Sequence, residues 1–452
     1  MSARGRAIGA VLLHHGLRTL WRTRLGLRSG PGRRRIVGEE LRRACEALGP
    51  AFVKLGQLAS VRPDVVPAEV VFELERLQER LPPVPSERIR AIVASELGAP
   101  PERVFASFDD TPVATASIAQ VHRAVLAGDV RPVVGPVLKA GTPVAVKVIR
   151  PGVERAIEED VEVARRWARR AQRLPRLARL RPEALLDEFE ASLARELDLR
   201  REGRVADRFG RDFADDALVV VPRVAWRHTT RRVLTTEFVD GWRLNDLGEA
   251  ERRGIDAEGL ARHGAEVFMR QVLVHGRYHA DLHPANLFVT PDGRICYLDF
   301  GIVGHADTRQ RLAFAQVLAA TVYGDAERAL RYSRELGLDI TEAKEPVVRA
   351  GVERLMRRHL VGRSPADVRG FAIGFLSLLN EQRVAIPAGY GLLVKALVTV
   401  EGVARAIYPD IDVAEAAKPY ATRLIASRLA SPERLWERAP AAARAALREL
   451  LA

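Results

Sequence analysis

The chain has 452 residues, 47% of them apolar and 29% charged, with a formal net charge of +13; this length exceeds one ordinary hydrophobic core and predicts two packed lobes with extensions. No run approaches the roughly 18 apolar residues that span a bilayer, so an integral membrane protein is not expected. Cys45 and Cys296 stand far apart without C-x-x-C spacing, which argues against a disulfide framework or a thiolate zinc site and fits a reducing, cytoplasmic setting.

Residues 1–35 hold nine Arg and no Asp or Glu, most of the net charge. Leu13, Leu17, Leu20 and Trp21 follow helical spacing with Arg18, Arg22 and Arg24 to the side, which suits an interfacial helix on an anionic membrane. A solvated basic tail and an organelle transit peptide share this composition. Nucleic acid is not an expected partner, because aromatic residues are 6% and no recognition motif occurs. The expected location is the cytoplasm, or the periphery of the inner face of the membrane.

The spacing predicts helices over 39–60, interrupted at Gly49-Pro50, then Val70 to Leu81 and Ser86 to Leu97. Strands are predicted over Ser117 to Ala127 and Val144 to Ile149, with 128–143 a flexible insertion. Two Arg-rich helices follow, Val153 to Leu174 and Pro182 to Phe209, then strand-like runs at Leu218 to Val224 and Arg231 to Val239. Beyond Gly241 the chain reads as helical apart from one hairpin. The expected organisation is an α+β fold of two lobes. It comprises a basic segment 1–38, a helical extension 39–110, an αβ N-lobe 111–240 and a helical C-lobe 241–452. The lobes join near Glu237-Phe238-Val239-Asp240-Gly241.

The stretch from Tyr278 to Gly301, YHADLHPANLFVTPDGRICYLDFG, carries the chemistry. His279, Asp281, Leu282, Asn286, Asp299, Phe300 and Gly301 fall in register with H-x-D-L-x-x-x-N and D-F-G. A γ-phosphoryl group leaving ATP needs its charge spread over Mg²⁺, which prefers hard oxygen ligands. Asn286 and Asp299 supply such oxygens, and Asp281 can face the incoming hydroxyl as base. Leu287-Phe288-Val289 and Ile295 to Leu298 read as strands joined by Pro291-Asp292-Gly293, a turn that returns Asp299 beside Asn286. The alternative is an incidental polar loop and hairpin. His279 and His283, four apart, allow a zinc reading, but Pro284 opposes a continuing helix, no Glu follows His279 and no third ligand is evident. Structural histidines are the better reading.

Only six of the 71 basic residues are lysine, namely Lys54, Lys139, Lys147, Lys344, Lys395 and Lys418. A lysine within an ordered motif therefore marks a site that wants a compact ammonium. Lys147 closes Val144-Ala145-Val146-Lys147 on a predicted strand, where a kinase lysine meets phosphates; a surface lysine at a strand end is the alternative. Its carboxylate partner is sought among Glu196, Asp198 and Glu202. On one continuous helix Asp198 and Glu202 would lie about 40° apart with Glu196 opposite Asp198, and helical geometry alone does not choose among them. Upstream, Ala114-Thr115-Ala116-Ser117 stand where a glycine-rich loop would cover the phosphates, so methyl groups replace hydrogens and a stiffer loop is expected.

Together these features resemble the UbiB family of atypical kinase-like proteins, also called AarF or ADCK. The matching pieces are Lys54-Leu55-Gly56-Gln57 (K-x-G-Q), the Ala-rich loop ending in Ser117-Ile118-Ala119-Gln120-Val121-His122, the Val-Ala-Val-Lys strand, Glu196 and Asp198 (E-x-D), H-A-D-L-H-P-A-N and D-F-G. They span residues 51 to 301. The resemblance implies that Lys54 and Gln57 lie on an extension folded over the active site, with Lys54 facing Glu196 and Asp198, and that Glu202 partners Lys147. Such an extension favours ATP hydrolysis or small-molecule phosphorylation over protein phosphorylation. The resemblance also implies a bilobal protein-kinase-like fold in which Glu237 and Val239 meet the nucleotide, ATP and Mg as cofactors, and an isoprenoid lipid or quinone precursor as partner. Thr115 interrupts the alanine run, the 128–143 insertion is long, and the C-terminal transmembrane segment of many members is not recognisable. A nucleotide-sensing scaffold or lipid-extraction factor, and a phosphotransferase resembling aminoglycoside or choline kinases, are the rival readings.

Overall fold

Period-two alternation along Pro143–Ile149 sets the first sheet: Val144, Val146 and Val148 are fully buried, while Ala145 and Lys147 lie on the opposite face. The computed structural model describes residues 3–25, 31–60, 66, 68–74, 76–77, 82–174, 181–244, 254–282 and 284–429. The chain divides into two units, Met1–Arg253 with Pro284–Gly301, and Gly254–His283 with Ile302–Ala452.

The first unit begins with helices α1 (Ala3–Leu25), α2 (Pro31–Leu48), α3 (Pro50–Ser60), α4 (Ala68–Leu74), α5 (Ser86–Leu97) and the short α6 (Pro101–Val104). The break between α2 and α3 falls at Gly49, whose φ of 100° suits glycine, with Pro50 opening the next helix. Of the helix predicted over Val70 to Leu81, residues 75 and 78–81 lie outside the described residues; the helix seen is Ala68–Leu74. Glu40 on α2 is 1% exposed and accepts hydrogen bonds from His15 (2.8 Å), Arg22 (2.9 Å) and Arg43 (2.9 Å). Burial alone would raise its pKa, but His15 and Arg22 outweigh that and hold it below the usual carboxylate value. Arg18 and Arg22 of the basic segment are thus turned onto α2, while Leu13, Leu17, Leu20 and Trp21 remain 51–67% exposed.

The antiparallel sheet has the order β1-β2-β3-β5, from β1 (Phe105–Thr115), β2 (Ala119–Leu126), β3 (Pro143–Ile149) and β5 (Val233–Glu237). Its core takes in Ile89 and Val93 of α5 together with Phe105, Leu126 and Leu138. β1 is a strand the sequence did not predict: its register shifts more than once against β2 and most of its residues are exposed, so no alternation marks it. The 128–143 insertion is also corrected. Val130 and Leu138 exchange both backbone hydrogen bonds (2.8 and 2.9 Å) and are 4% and 1% exposed, and Asp129 caps Ala140 (2.9 Å). It is a packed miniature hairpin.

After α7 (Val153–Gln172), the helix predicted as Pro182 to Phe209 divides into α8 (Pro182–Glu196) and α9 (Leu199–Asp212), because the Asp198 side chain caps α9 at Arg200 N–H. A second sheet has the order β4-β9-β8-β6, from β4 (Val219–Val220), β6 (Trp242–Arg243), β8 (Leu287–Val289) and β9 (Ile295–Tyr297). These pairings bind the Pro284–Gly301 hairpin to the first unit instead of the helical C-lobe expected from sequence. Gly241 is needed here, since a Cβ would meet Val289 O at 2.6 Å.

The second unit holds α10 (Ala257–Met269), a π-helical turn Arg270–His275, the antiparallel pair β7 (Arg277–His279) and β10 (Val303–His305), and helices α11 (Thr308–Val322), α12 (Ala326–Glu335), α13 (Glu345–His359), α14 (Val368–Glu381), α15 (Ala388–Ile407) and α16 (Val413–Leu429). Its core gathers Leu330, Val348, Val352, Met356, Phe375 and Leu379.

If the insertion is packed as described, Leu138→Ala leaves a cavity and lowers unfolding free energy by about 2–5 kcal/mol in denaturant titration. A change near zero would mark the segment as a loop without a core role.

Candidate active site

Lys147 leaves β3 on the face away from the valine core and sits between two carboxylates. Its Nζ donates to both Glu202 oxygens (2.8 and 2.9 Å) and to Asp299 Oδ2 (3.2 Å). Burial works against the ammonium, but Asp299 and Glu202 outweigh it, so its pKa stands above the ordinary lysine value. Burial, with Asp299 adding to it against Lys147, pushes Glu202 up to about 7. Asp299 is held from two further sides. Its Oδ1 accepts Gly301 N–H at 2.7 Å, and Phe300 packs on Phe209 of α9 with ring centroids 5.1 Å apart.

Asn286 ends a 3-10 turn, Pro284–Asn286, and its carbonyl accepts Leu298 N–H at 3.0 Å, which brings the two motif segments together as the turn chemistry predicts. Asp299 keeps 41% of its side chain accessible, so this donor set suits Mg²⁺, which takes one or two protein oxygens and completes its shell with phosphate and water. No group of three or more His, Cys, Asp or Glu that could hold a metal occurs among the described residues. His283 lies outside the described residues. His279 is fully buried and its Nδ1 accepts Asp281 N–H at 3.1 Å, a loop-ordering role.

The break between α8 and α9 sorts the three candidate acids. Lys54 Nζ lies 3.0 Å from Glu196 Oε2, with side chains 14% and 11% exposed. Asp198 grips Arg200 (2.8 and 3.0 Å) while capping α9, and that contact holds its pKa below the usual value. The continuous-helix geometry fails for the same reason. Gln57 is half-buried on α3, one residue after Gly56, where an added Cβ would fall on a Leu77 methyl.

The Ala-rich segment is the turn between β1 and β2. Ala114 and Thr115 end β1; Ala116 N–H donates to Ala119 O (2.8 Å), and Arg150 donates to Ala116 O (3.2 Å), pinning the turn. Ser117 is 1% exposed and its hydroxyl has no hydrogen-bond partner among the described residues. Glu237 ends β5 with its carboxylate on Arg223 (2.6 and 2.8 Å); Val239 follows, half-buried.

In the second unit, Asp281 Oδ1 lies 3.6 Å from Lys395 Nζ on α15. Sequence reasoning noted Lys395 only as one of six lysines; its rarity was the available signal.

A family model for the ABC1 atypical kinase-like domain matches residues 76–333. The chain belongs to the UbiB family of atypical kinase-like proteins. A UbiB helical domain model matches residues 373–412. The probable protein kinase UbiB of Cellvibrio japonicus is 35% identical over 407 residues, 88% of this chain and 71% of that protein. The one from Xanthomonas euvesicatoria pv. vesicatoria is 36% identical over 409 residues, 88% of this chain and 72% of that protein. In fold, the chain resembles one from the Rv3197–erythromycin complex of Mycobacterium tuberculosis, with TM-score 0.52 and 21% identity over 76% of this chain and 84% of that one. The UbiB family assignment and this neighbour agree on an α+β, bilobal kinase-like fold with a helical N-terminal region.

The raised Glu202 pKa fixes a stability trend. Below about pH 4.5 Glu202 is protonated folded or unfolded; between there and about 7 only the folded chain holds the proton, so its contribution declines as pH rises through that window. Wild type should lose stability relative to Glu202→Gln between about pH 5 and 8 in thermal melts. A difference that stays flat over that range rules the shift out.

Proposed function

We propose that this UbiB-family chain is a Mg²⁺- and ATP-dependent phosphotransferase or ATPase that supports isoprenoid-quinone lipid metabolism at a membrane surface. The observation that carries this reading is the ammonium of Lys147 joined at once to Glu202 and to the D-F-G carboxylate Asp299. In kinase-like chemistry that lysine meets the α- and β-phosphates. Mg²⁺, when bound, spreads the charge that develops on the phosphoryl oxygens. Asn286 and Asp299 would hold it, and Lys147 would orient the phosphates. Asp281 would take the proton of the attacking hydroxyl or orient water. The turn at Ala114, Thr115, Ala116 and Ser117 would cover the phosphates, with Glu237 and Val239 beside the base of the nucleotide through their backbone.

The ion pair of Lys54 with Glu196 favours restricted access: two mostly buried charges hold the K-x-G-Q helix on α8, and separating them leaves either one unpaired. This suits hydrolysis or a small acceptor better than a protein substrate. It also favours a second reading, a nucleotide-sensing scaffold with little turnover. Function that survives Asp281→Asn and is lost only with nucleotide binding would select the scaffold.

Asp299→Asn should weaken Mg²⁺-dependent ATP binding at least about tenfold in calorimetric titration, with little effect when Mg²⁺ is chelated. Unchanged affinity, or no binding by wild type, would overturn the nucleotide reading.

No helix among the described residues is long and apolar enough to cross a membrane. We place α1 at the lipid surface through its exposed Leu13, Leu17, Leu20 and Trp21, because Arg18 and Arg22 are engaged by α2. Leu17→Glu with Trp21→Glu should cut flotation with anionic vesicles about tenfold or more. Raising salt should reduce it less. Equal flotation of both proteins would remove α1 from the contact.

A further inference from the structure

We propose that Lys395, within the segment matching the UbiB helical domain, is a positioning residue for Asp281 and sets the rate of phosphoryl transfer; this rests on the function proposed above. The contact is between Lys395 Nζ and Asp281 Oδ1, at 3.6 Å, with side chains 15% and 39% exposed. Both residues belong to the second unit.

Packing fixes where the ammonium can be. On α15, Leu393, Val394, Ala396, Leu397 and Val400 are all buried, and the helix packs on α10 and β10. Lys395 therefore projects from a helix anchored by its neighbours. β10 in turn pairs with β7, register Val303↔His279, and β7 leads directly into Asp281. The loop backbone is held separately: Gln271 accepts His279 N–H (2.9 Å), and Ala280 N–H donates to Ile302 O (3.1 Å). The aspartate thus has its main chain set by the β7–β10 pair and its carboxylate met from α15.

The choice of lysine is informative in a chain that takes arginine by default. Lys54, Lys147 and Lys395 have side chains 14%, 19% and 15% exposed, and each meets a carboxylate of its own unit: Glu196, Glu202 with Asp299, and Asp281. Lys139 and Lys418, by contrast, form surface pairs with Asp129 and Glu415. A guanidinium fork grips both carboxylate oxygens, whereas an ammonium is a single point of charge. At Asp281 that difference matters. In the transfer step the acceptor oxygen bonds to the γ-phosphorus, and the bond from that phosphorus to the β,γ-bridging oxygen breaks, its electron pair leaving with ADP. The acceptor proton passes to Asp281. Lys395 holds the carboxylate facing the acceptor.

The test compares full-length wild type with Lys395→Met, Lys395→Ala and the surface control Lys418→Met, measuring Mg²⁺-ATP turnover and nucleotide Kd. Lys395→Met should lower kcat at least about tenfold, with Kd within about twofold and a cooperative melt. Methylammonium should restore part of the turnover of Lys395→Ala, and Lys418→Met should match wild type. A kcat within about twofold of wild type overturns the inference. So does a kcat loss matched by an equal loss of nucleotide affinity without amine rescue, which marks a structural role. Wild type without Mg²⁺-dependent turnover overturns the underlying functional reading and this one with it, whereas normal turnover indifferent to Lys395 overturns this one alone.

Discussion

One ammonium between two carboxylates organises the first unit. Lys147 is 19% exposed and its partners Glu202 and Asp299 come from segments 55 and 152 residues away in sequence. The two acids repel each other and share this one ammonium, so removing Lys147 would leave two like charges facing each other, which is far costlier than losing a surface pair. Much of the local architecture serves this arrangement. Three buried valines orient β3, the Asp198 cap starts α9 so that Glu202 lies one turn in, and Phe300 on Phe209 fixes the D-F-G segment.

The same economy of charge runs through the helical extension. Glu40 is almost fully buried yet ionised, because His15, Arg22 and Arg43 surround it. The arginines that give the N-terminal segment its basic character are therefore partly structural, while the apolar stripe of α1 stays exposed. K-x-G-Q shows a parallel division of labour: Lys54 supplies charge to Glu196, and Gly56 supplies closeness to Leu77.

What could be read from the sequence was what repeats locally. The hairpin strands at 287–289 and 295–297, the β3 alternation ending in Lys147 and the stop at Gly49-Pro50 all follow from short-range pattern. β1 was missed because Asp109, Asp110, Thr111 and Pro112 interrupt alternation where its register slips against β2. The split between α8 and α9 was hidden because apolar periodicity runs on across Leu197 and Leu199, although Asp198 with Glu202 soon after is a helix-start signal. Among the three acids, periodicity had no power to choose; the family resemblance pointed to Glu202 for Lys147, and the structure places them in contact. Lys395 was beyond reach because no spacing rule links α15 to the loop bearing Asp281; only tertiary packing does.

The membership of the Pro284–Gly301 hairpin has a consequence for biosynthesis. β4 and β6 leave the ribosome well before β8 and β9, with residues 254–283 of the other unit emerging in between. The second sheet therefore cannot form until β8 and β9 are made, because β4 and β6 pair with them and not with each other, and their unpaired edges stay open in the meantime. The first unit is thus completed by a late segment of its own, made only after part of the other unit, and its nascent chain stays open to wrong pairing until that segment has emerged.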